Sequence, residues 1–215
     1  MNWNIDELTA SDVSRLLLNT VVPRPIALVT TCDPHGVVNA APFSYFNVMS
    51  SNPPVIAIGI DGNSHSPDGM KDTTRNIVNG SEFVVNLVDE AMVQATNLCA
   101  IEFPPGVDET IETGLALVAS TQVTPPRAAA SPVQFECRLH TLVPIAPLRY
   151  VILGKIIHIH IRDDVIDEHK RIDPDRLNLV GRMHGDGWYT RTVDRLQKPR
   201  VSYATWRCQL LDGKQ

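Results

Sequence analysis

Cysteine is scarce in this sequence, and its few occurrences are far apart. Cys32, Cys99, Cys137 and Cys208 form no CxxC pair and have no spacing typical of a metal site. We therefore expect free thiols and no bound metal. The sequence also lacks the GxGxxG and GxxxxGK[ST] motifs, so it gives no support to a Rossmann domain or a P-loop.

Basic residues and long apolar runs are also lacking. The 215 residues include 24 acidic and 19 basic side chains, a formal net charge of −5 at pH 7, and no Lys/Arg-rich block. Nucleic acid is therefore not an expected partner. No apolar run has the length that spans a bilayer, and the first residues lack the basic start and apolar core of a signal peptide. These features predict a cytoplasmic protein without membrane contact.

The chain has no internal repeat, low-complexity tract or obvious linker, so a single main domain is the simplest organisation. We assign residues 1–22 to a helical lead-in, 23–195 to the domain, and 196–215 to a polar tail expected to be partly disordered. Short β-branched and apolar runs, separated by Pro and Gly, predict a mainly β fold. With only a few short peripheral helices, a closed or nearly closed antiparallel barrel is favoured.

The predicted elements follow from apolar periodicity and from turn residues. Strands are expected at residues 26–31, from 37 onward, and at 55–60, 83–88, 133–143 and 150–162. Helices are expected at residues 6–19, 72–80, 90–100, near 108–114 and from 173. The first helix is expected to pack on the domain. The remainder of residues 102–132 is rich in proline, and a connection of that length is usually functional or covered by a partner.

The stretch NAAPFSYFN, residues 39–47, lies between two apolar strand-like runs and has little side-chain bulk at its start. We expect Pro42 to take the chain out of the sheet ladder. The following backbone N–H groups then need partners and could bind the polar edge of a flat ligand. The alternative is an ordinary strand, bulge and turn without a ligand.

The stretch KDTTRNIVNG, residues 71–80, predicts a helix. Asp72 or Thr73 can serve as its N-cap, and Gly80 is expected to end it. Ile77 and Val78 are expected to face inward.

The start of this helix has the chemistry of an anion site. Unpaired N–H groups and a partial positive charge lie beside Lys71, Thr73 and Arg75, which suits a phosphate monoester. The alternative is an ordinary capped surface helix.

Two histidine-containing stretches have weaker functional readings. His158 and His160 share one face of a strand and could bind a metal ion, but packing is the favoured interpretation because no third ligand is evident. In the glycine-rich loop at residues 181–191, His184, Arg182 or Tyr189 could reach a ligand. The alternative for each is a structural or solvent-facing side chain.

Seven stretches, in this order and spacing, resemble the flavin reductase-like family of FMN-binding split barrels. They are RPIALVTT (24–31), DPHGVVNAAPFSYFN (33–47), NPPVIAIGI (52–60), KDTTRNI (71–77), FVVNLV (83–88) and, more loosely, GKIIHIHI (154–161) and GRMHGDGWYTR (181–191). The resemblance covers about residues 20–195, and its first third is the most specific.

The resemblance implies an antiparallel split barrel of Greek-key type that forms a homodimer, with FMN near the subunit interface. Thr30 and Thr31 would lie near the ring or ribityl chain, residues 39–44 would bond the polar edge of the ring, and Lys71 and Thr73 would hold the phosphate. The implied cofactor-binding residues are Thr30, Thr31, Asn39, Ala40, Ala41, Pro42, Phe43, Ser44, Ser64, Ser66, Lys71, Asp72, Thr73, Asn76 and His184. Cys32 could be redox-sensitive beside a flavin, although a buried inert thiol is the preferred interpretation.

The resemblance implies an NAD(P)H-dependent FMN oxidoreductase that transfers a hydride from the nicotinamide to flavin N5. This chemistry requires contact and alignment, with no obligatory protein acid or base, so no catalytic residue is assigned. The electrons would pass to a monooxygenase or another acceptor. One alternative is a flavoredoxin-type electron carrier reduced by a partner protein, and another is a ligand-binding barrel without flavin. No sequence feature selects NADH or NADPH.

Overall fold

The chain folds into a mainly β structure, seen in a computed structural model that describes residues 1–63, 66–104, 107–185 and 187–212. Its strands are β1 Arg24–Pro25, β2 Ala27–Cys32, β3 Val38–Phe43, β4 Phe46–Ser51, β5 Pro54–Ile60, β6 Glu82–Leu87, β7 Leu117–Val118, β8 Arg127–Ala128, β9 Val133–Ala146, β10 Arg149–Ile161, β11 Val180–Arg182 and β12 Tyr189–Arg191. Its α-helices are α1 Ala10–Thr20, α2 Asp72–Gly80, α3 Val93–Leu98, α4 Glu109–Thr113, α5 Pro174–Leu177 and α6 Tyr203–Asp212. Short 3₁₀ turns occupy Ile5–Glu7, Glu90–Met92 and Asp163–Val165.

Seven strands form the main sheet in the order β3-β2-β6-β9-β10-β5-β4, and every neighbouring pair is antiparallel. The two edge strands, β3 and β4, are consecutive in the chain and separated only by Ser44 and Tyr45. The carbonyl of Tyr45 accepts a hydrogen bond from Gly59 N on β5 at 2.7 Å. The sheet therefore curls until its edges meet at this corner, and the predicted antiparallel split barrel is confirmed.

Side chains from β5, β6 and β10 fill the interior of the barrel. One apolar cluster there contains the fully buried residues Ile56, Ile58, Phe83, Val85 and Ile152. Burial of this kind is the main stabilising term of such a fold. Strand β2 is buried on both faces from Ala27 to Thr31, as its continuous apolar run predicts.

Two hairpins fit their predictions closely. Strands β2 and β3 pair across a turn in which Gly36 has φ +85°, a conformation that glycine adopts without strain. Strands β9 and β10 form the longest pair, and β9 continues to Ala146 instead of ending at residue 143. At Gly154 an added Cβ would lie 2.3 Å from the Phe83 ring, so only glycine fits there.

The expectation that Pro42 takes the chain out of the sheet ladder is wrong. Pro42 remains in β3, opposite Leu28 on β2. The sheet tolerates it because β3 is an edge strand, where a missing N–H can face away from the neighbour.

Helix α2 forms over the predicted residues, but three details differ. Its N-cap is Lys71, which makes no side-chain cap hydrogen bond, and the left-handed residue after the helix is Ser81 at φ +60°. Val78 is 41% exposed, whereas Ile77 is fully buried. The predicted cap Thr73 is used elsewhere, because its hydroxyl bonds the side chain of Asn39 at 2.9 Å.

Both ends of the chain are helical. Helix α1 begins after the predicted cap Thr9 and contains no fully buried residue. Val13, Leu16 and Leu18 are half-buried, and Arg24 Nη1 donates to the Leu18 carbonyl at 2.7 Å, so the helix contacts the domain through a partly buried face. In the tail, where partial disorder was predicted, Tyr203–Asp212 form α6. No helix in the described ranges has both the length and the apolar character needed to cross a bilayer.

Candidate functional site

Two adjoining clefts run along β3 and share Pro42, Phe43 and Ala100. The first, of about 610 Å³ including its open mouth, lies between β3, the start of α2 and residues 99–103. The second, of about 490 Å³, continues past Ser44 towards Arg182 and Tyr189. We call these two clefts together the β3 groove. The wall formed by β3 projects little into the groove, because the side chains of Ala41 and Pro42 are small.

The start of α2 opens into the first cleft. Lys71 and Thr73 line this cleft, and Lys71 precedes the helix without capping it through its side chain. The first-turn N–H groups of a helix lack partners within the helix and carry a partial positive charge. With the ammonium group of Lys71 beside them, they form a suitable phosphate site.

Arg75 organises the loop that leads into this helix. Its guanidinium donates to Asp68 Oδ2 at 2.8 Å, to Ser66 Oγ at 2.7 Å and to the Met70 carbonyl at 3.2 Å, and it also pairs with Asp72. The side-chain hydrogen bond from Arg75 is the main cause that lowers the pKa of Asp68. Ser66 is therefore committed to the loop, and the Asp72 carboxylate, although it lines the groove, is balanced by Arg75.

A buried carboxylate that the sequence analysis missed lies in the wall of the first cleft. Glu109 is 9% exposed, and its Oε2 accepts a hydrogen bond from Ala40 N at 2.7 Å. With its amide oriented to satisfy both ends, Asn39 donates to Glu109 Oε1 at 3.3 Å and accepts from Thr73 Oγ1 at 2.9 Å. Burial is the largest cause that raises the pKa of Glu109 to about 7.

The bond from Ala40 changes the expected pattern of free donors on β3. In an antiparallel pair, the backbone N–H and C=O groups of every second residue point away from the neighbouring strand. The hydrogen bond from Ala40 N to Glu109 shows that Ala40 is such a residue. Pro42 shares this outward orientation but has no N–H, whereas Phe43 lies in register with Ala27. The expected donors of this wall are thus fewer than the sequence suggested, and the groove offers carbonyl groups and small side chains in their place.

Thr30, Thr31 and Asn76 lie beneath the groove, not on its surface. Both threonines are 0% exposed. Thr30 Oγ1 donates to the Pro126 carbonyl at 2.5 Å, and Thr31 Oγ1 accepts from Asn76 Nδ2 at 3.1 Å. Their bonds support β2 and fix α2 against it, so their geometry gives a structural role to three of the predicted cofactor contacts.

The far end of the groove contains Ser44, Arg182 and Tyr189. Ser44 Oγ is 3.3 Å from Arg24 Nε, which holds this corner of the barrel in place. The guanidinium carbon of Arg182 lies 4.8 Å from the centre of the Tyr189 ring. His184 is exposed, and its Nδ1 is 3.3 Å from the Asn19 carbonyl, so it contacts the end of α1.

His158 and His160 do not line either cleft and instead belong to a hydrogen-bonded cluster around Glu136. Their rings are 4.6 Å apart, and His160 Nε2 is 2.5 Å from Glu136 Oε1. Glu136 is fully buried and also accepts from the backbone N–H groups of Thr121 and Gln122 at 2.7 and 2.6 Å. Within the described ranges, no group of three or more His, Cys, Asp or Glu side chains could hold a metal ion.

The structure thus brings together seven predicted residues in one cleft: Asn39, Ala41, Pro42, Phe43, Lys71, Asp72 and Thr73. Ser44 lies in the adjoining cleft, and Ala40 is fully buried with its N–H bonded to Glu109. Ser64, a predicted phosphate ligand, lies outside the described residues. Glu109 and Phe103, which also line the first cleft, come from the long proline-rich connection. The length of that connection was the only signal in the sequence that pointed to them.

The comparisons with known proteins agree with this architecture. A protein from Deinococcus radiodurans is 40% identical to this chain, with 97% of this chain and 93% of that protein covered. The structure of 2-nitrobenzoate 2-nitroreductase NbaA from Pseudomonas fluorescens is 34% identical, covers 94% of this chain and 98% of its own, and has a TM-score of 0.86. Nitrilotriacetate monooxygenase component B from Bacillus cereus is 29% identical, covers 92% and 98%, and also has a TM-score of 0.86.

The family comparison matches the Flavin reductase like domain over residues 18–180, which include the seven-stranded sheet and the first cleft of the β3 groove. The chain is therefore a flavin oxidoreductase-type protein that belongs to the flavin reductase-like domain family.

Proposed function

We propose that this protein is an NAD(P)H-dependent FMN reductase that binds FMN in the β3 groove. One observation carries the proposal: the uncapped start of α2, with Lys71 beside it, opens into the same groove as the small residues of β3. A phosphate site at one end and a flat, low wall beside it match the two parts of a flavin mononucleotide. The family to which the chain belongs supports this assignment.

The described residues fit such a cofactor. Lys71 and the first-turn N–H groups of α2 would hold the phosphate, and residues 41–44 would form the wall beside the ring. Arg75 holds the Asp72 carboxylate by an ion pair, which reduces the repulsion between that carboxylate and a phosphate.

Bound FMN would supply the redox chemistry, accepting a hydride at N5 from NADH or NADPH. The chain's own task is to hold the two reactants in contact, to exclude water and to adjust the polarity of the groove. Because that task requires no proton transfer by a side chain, we assign no catalytic residue.

The final electron acceptor is either a monooxygenase partner or a small molecule. The names of the two similar structures, a nitroreductase and a monooxygenase component, support acceptors of both kinds within proteins at 34% and 29% identity.

The direct test is anaerobic mixing of the FMN-loaded protein with NADH or NADPH. We expect the visible absorption of the oxidised flavin to be lost on mixing, and turnover to continue when free FMN is added. A protein that binds FMN but keeps its oxidised spectrum with both nicotinamides contradicts the reductase assignment. Reduction by a partner protein would then assign the flavoredoxin type, whose fold this chain shares at a TM-score of 0.72.

We also propose that the protein is a homodimer. Tyr45, Val48 and Met49 on and beside β4 are 48%, 56% and 54% exposed. An adjoining apolar cleft of about 860 Å³ is lined by Phe46, Val48, Leu87 and Phe135, among other residues. Contiguous exposed apolar surface of this kind is typical of an interface, and a second copy of the chain is the partner that the family resemblance implies.

A further inference from the structure

Glu109 is a buried acid in the wall of the groove to which the proposed reaction assigns no role. It begins α4 and lies 69 residues along the chain from its hydrogen-bond partner Ala40. Its carboxyl group shares the first cleft with Lys71 and Thr73, the proposed phosphate contacts. A titratable group in that position must respond when a negative charge enters the cleft.

We propose that Glu109 takes up a proton when a phosphate-bearing ligand binds in the β3 groove, so that FMN binding is coupled to protonation of this residue. The inference rests on the proposed function, because the ligand considered is FMN with its phosphate at the start of α2.

The charges around Glu109 favour the neutral acid once the groove is filled. Burial raises its pKa to about 7, the hydrogen bond from Ala40 N opposes this rise, Asp72 and Asp108 add to it, and Lys71 opposes it. A phosphate beside Lys71 would compensate the lysine charge and add negative charge of its own. Both effects raise the pKa of Glu109 further, so the bound state holds more protons than the free state.

Several other titratable groups lie around Glu109 and could contribute to a pH dependence. They are Asp108 before α4, Lys71 and Asp72 at the start of α2, Cys99 after α3, and Glu102 in the connection that lines the same cleft. Burial raises the pKa of Glu109 itself to about 7, which places its titration in the range of the test below.

Neutral Glu109 can retain the contacts seen in the structure. Its carbonyl oxygen can still accept from Ala40 N, where the donor and acceptor are 2.7 Å apart. Its O–H becomes a donor, and the Asn39 amide can accept it by turning its oxygen towards Glu109, since both orientations of the amide leave Asn39 bonded to Thr73. Protonation therefore changes the charge of the cleft without requiring a change in the fold of β3.

The size of the effect follows from linkage. If FMN raises the pKa of Glu109 from about 7 by about one unit, the Kd of FMN rises about fivefold between pH 7 and 9, and about half a proton is taken up per FMN at pH 7.5. The FMN phosphate has its second pKa at about 6, so it stays doubly charged over most of this range.

The test is a calorimetric titration of the wild-type protein with FMN, in two buffers of different ionisation enthalpy and at several values between pH 7 and 9. We expect proton uptake near pH 7.5 and weaker binding at pH 9. In Glu109→Gln, which preserves the acceptor for Ala40 N, the uptake and the loss of affinity should both disappear. The control is Glu112→Gln, which removes an exposed carboxylate of the same helix and should behave like the wild type.

Two outcomes overturn the inference while FMN binding itself stands: a wild type that binds FMN without proton uptake, or a folded Glu109→Gln variant with unchanged uptake. A thermal unfolding scan confirms that the variant is folded, and the wild-type measurement decides the matter without it. A wild type that does not bind FMN at any pH contradicts the proposed function, and this inference fails with it.

Discussion

Lys71 offers the sharpest test among single residues, because it lines the groove and adjoins the start of α2. Replacing it with alanine should weaken FMN binding by about 1.5 to 3 kcal/mol, the contribution of a charge-assisted hydrogen bond. Riboflavin, which has no phosphate, should lose little affinity. Fluorescence titration of both ligands measures the difference.

The matched control is Lys155→Ala, which removes the same charge from an exposed position on β10. Its FMN affinity should remain that of the wild type. Equal loss of FMN and riboflavin affinity in Lys71→Ala would refute the assignment of the phosphate to this residue.

Glu109 also predicts how the free protein responds to pH. Because its folded-state pKa is raised, from 4.5 to about 7, the native state binds more protons than the unfolded state between these values. The contribution of Glu109 to the free energy of unfolding is therefore fully present below pH 4.5. It is lost as the pH rises through 7, and the loss is about 3 kcal/mol. Urea unfolding at pH 5 and pH 8 should show this fall in the wild type and a smaller one in Glu109→Gln. Identical profiles would show that the carboxylate is not held in a costly environment.

At the level of elements, α2 and the loop before it set the charge of the groove. Arg75 does not line the groove, but it pairs with Asp72, which does. Arg75→Met should release this carboxylate and weaken FMN binding by about 1 kcal/mol, the scale of repulsion between two charges about 4 Å apart in water. Adding Asp72→Asn to Arg75→Met should restore the affinity, as fluorescence titration can measure. A double variant as weak as Arg75→Met would show that the arginine acts by ordering the loop instead.

The elements also show which parts of the site a sequence can predict. Strand β2 and helix α2 were predictable because their signals are local: a continuous apolar run in one case, and a helical pattern over residues 72–80 in the other. The hairpin at Gly36 was equally predictable, since the turn residues are adjacent.

Contacts between distant segments were not predictable in this way. Thr73 looked like a cap, but the fold brings Asn39 to its hydroxyl group. Thr30 and Thr31 looked like ligand contacts, but they are buried against Pro126 and Asn76. Local patterns carry no record of such tertiary partners, and for the same reason the pairing of Glu109 with Ala40 could not be foreseen.

At the scale of the whole molecule, the exposed apolar residues of β4 predict self-association. Light scattering should give twice the 23.7 kDa mass of one chain. Introducing glutamate at both Val48 and Met49 should shift the protein to a monomer, because charge is costly in a buried interface. Val78→Glu, at an exposed position on α2, is the control and should remain dimeric. A wild-type monomer at micromolar concentration would contradict the proposal.

The groove and the barrel share one strand, since β3 is both an edge of the seven-stranded sheet and the wall of the groove. A crystal structure of the protein with FMN bound decides whether the β3 groove holds the cofactor. We expect the phosphate within hydrogen-bond distance of Lys71 Nζ and the first-turn amides of α2, with the ring along residues 41–44. A structure with FMN bound elsewhere, and with the start of α2 free of the phosphate, would contradict this expectation.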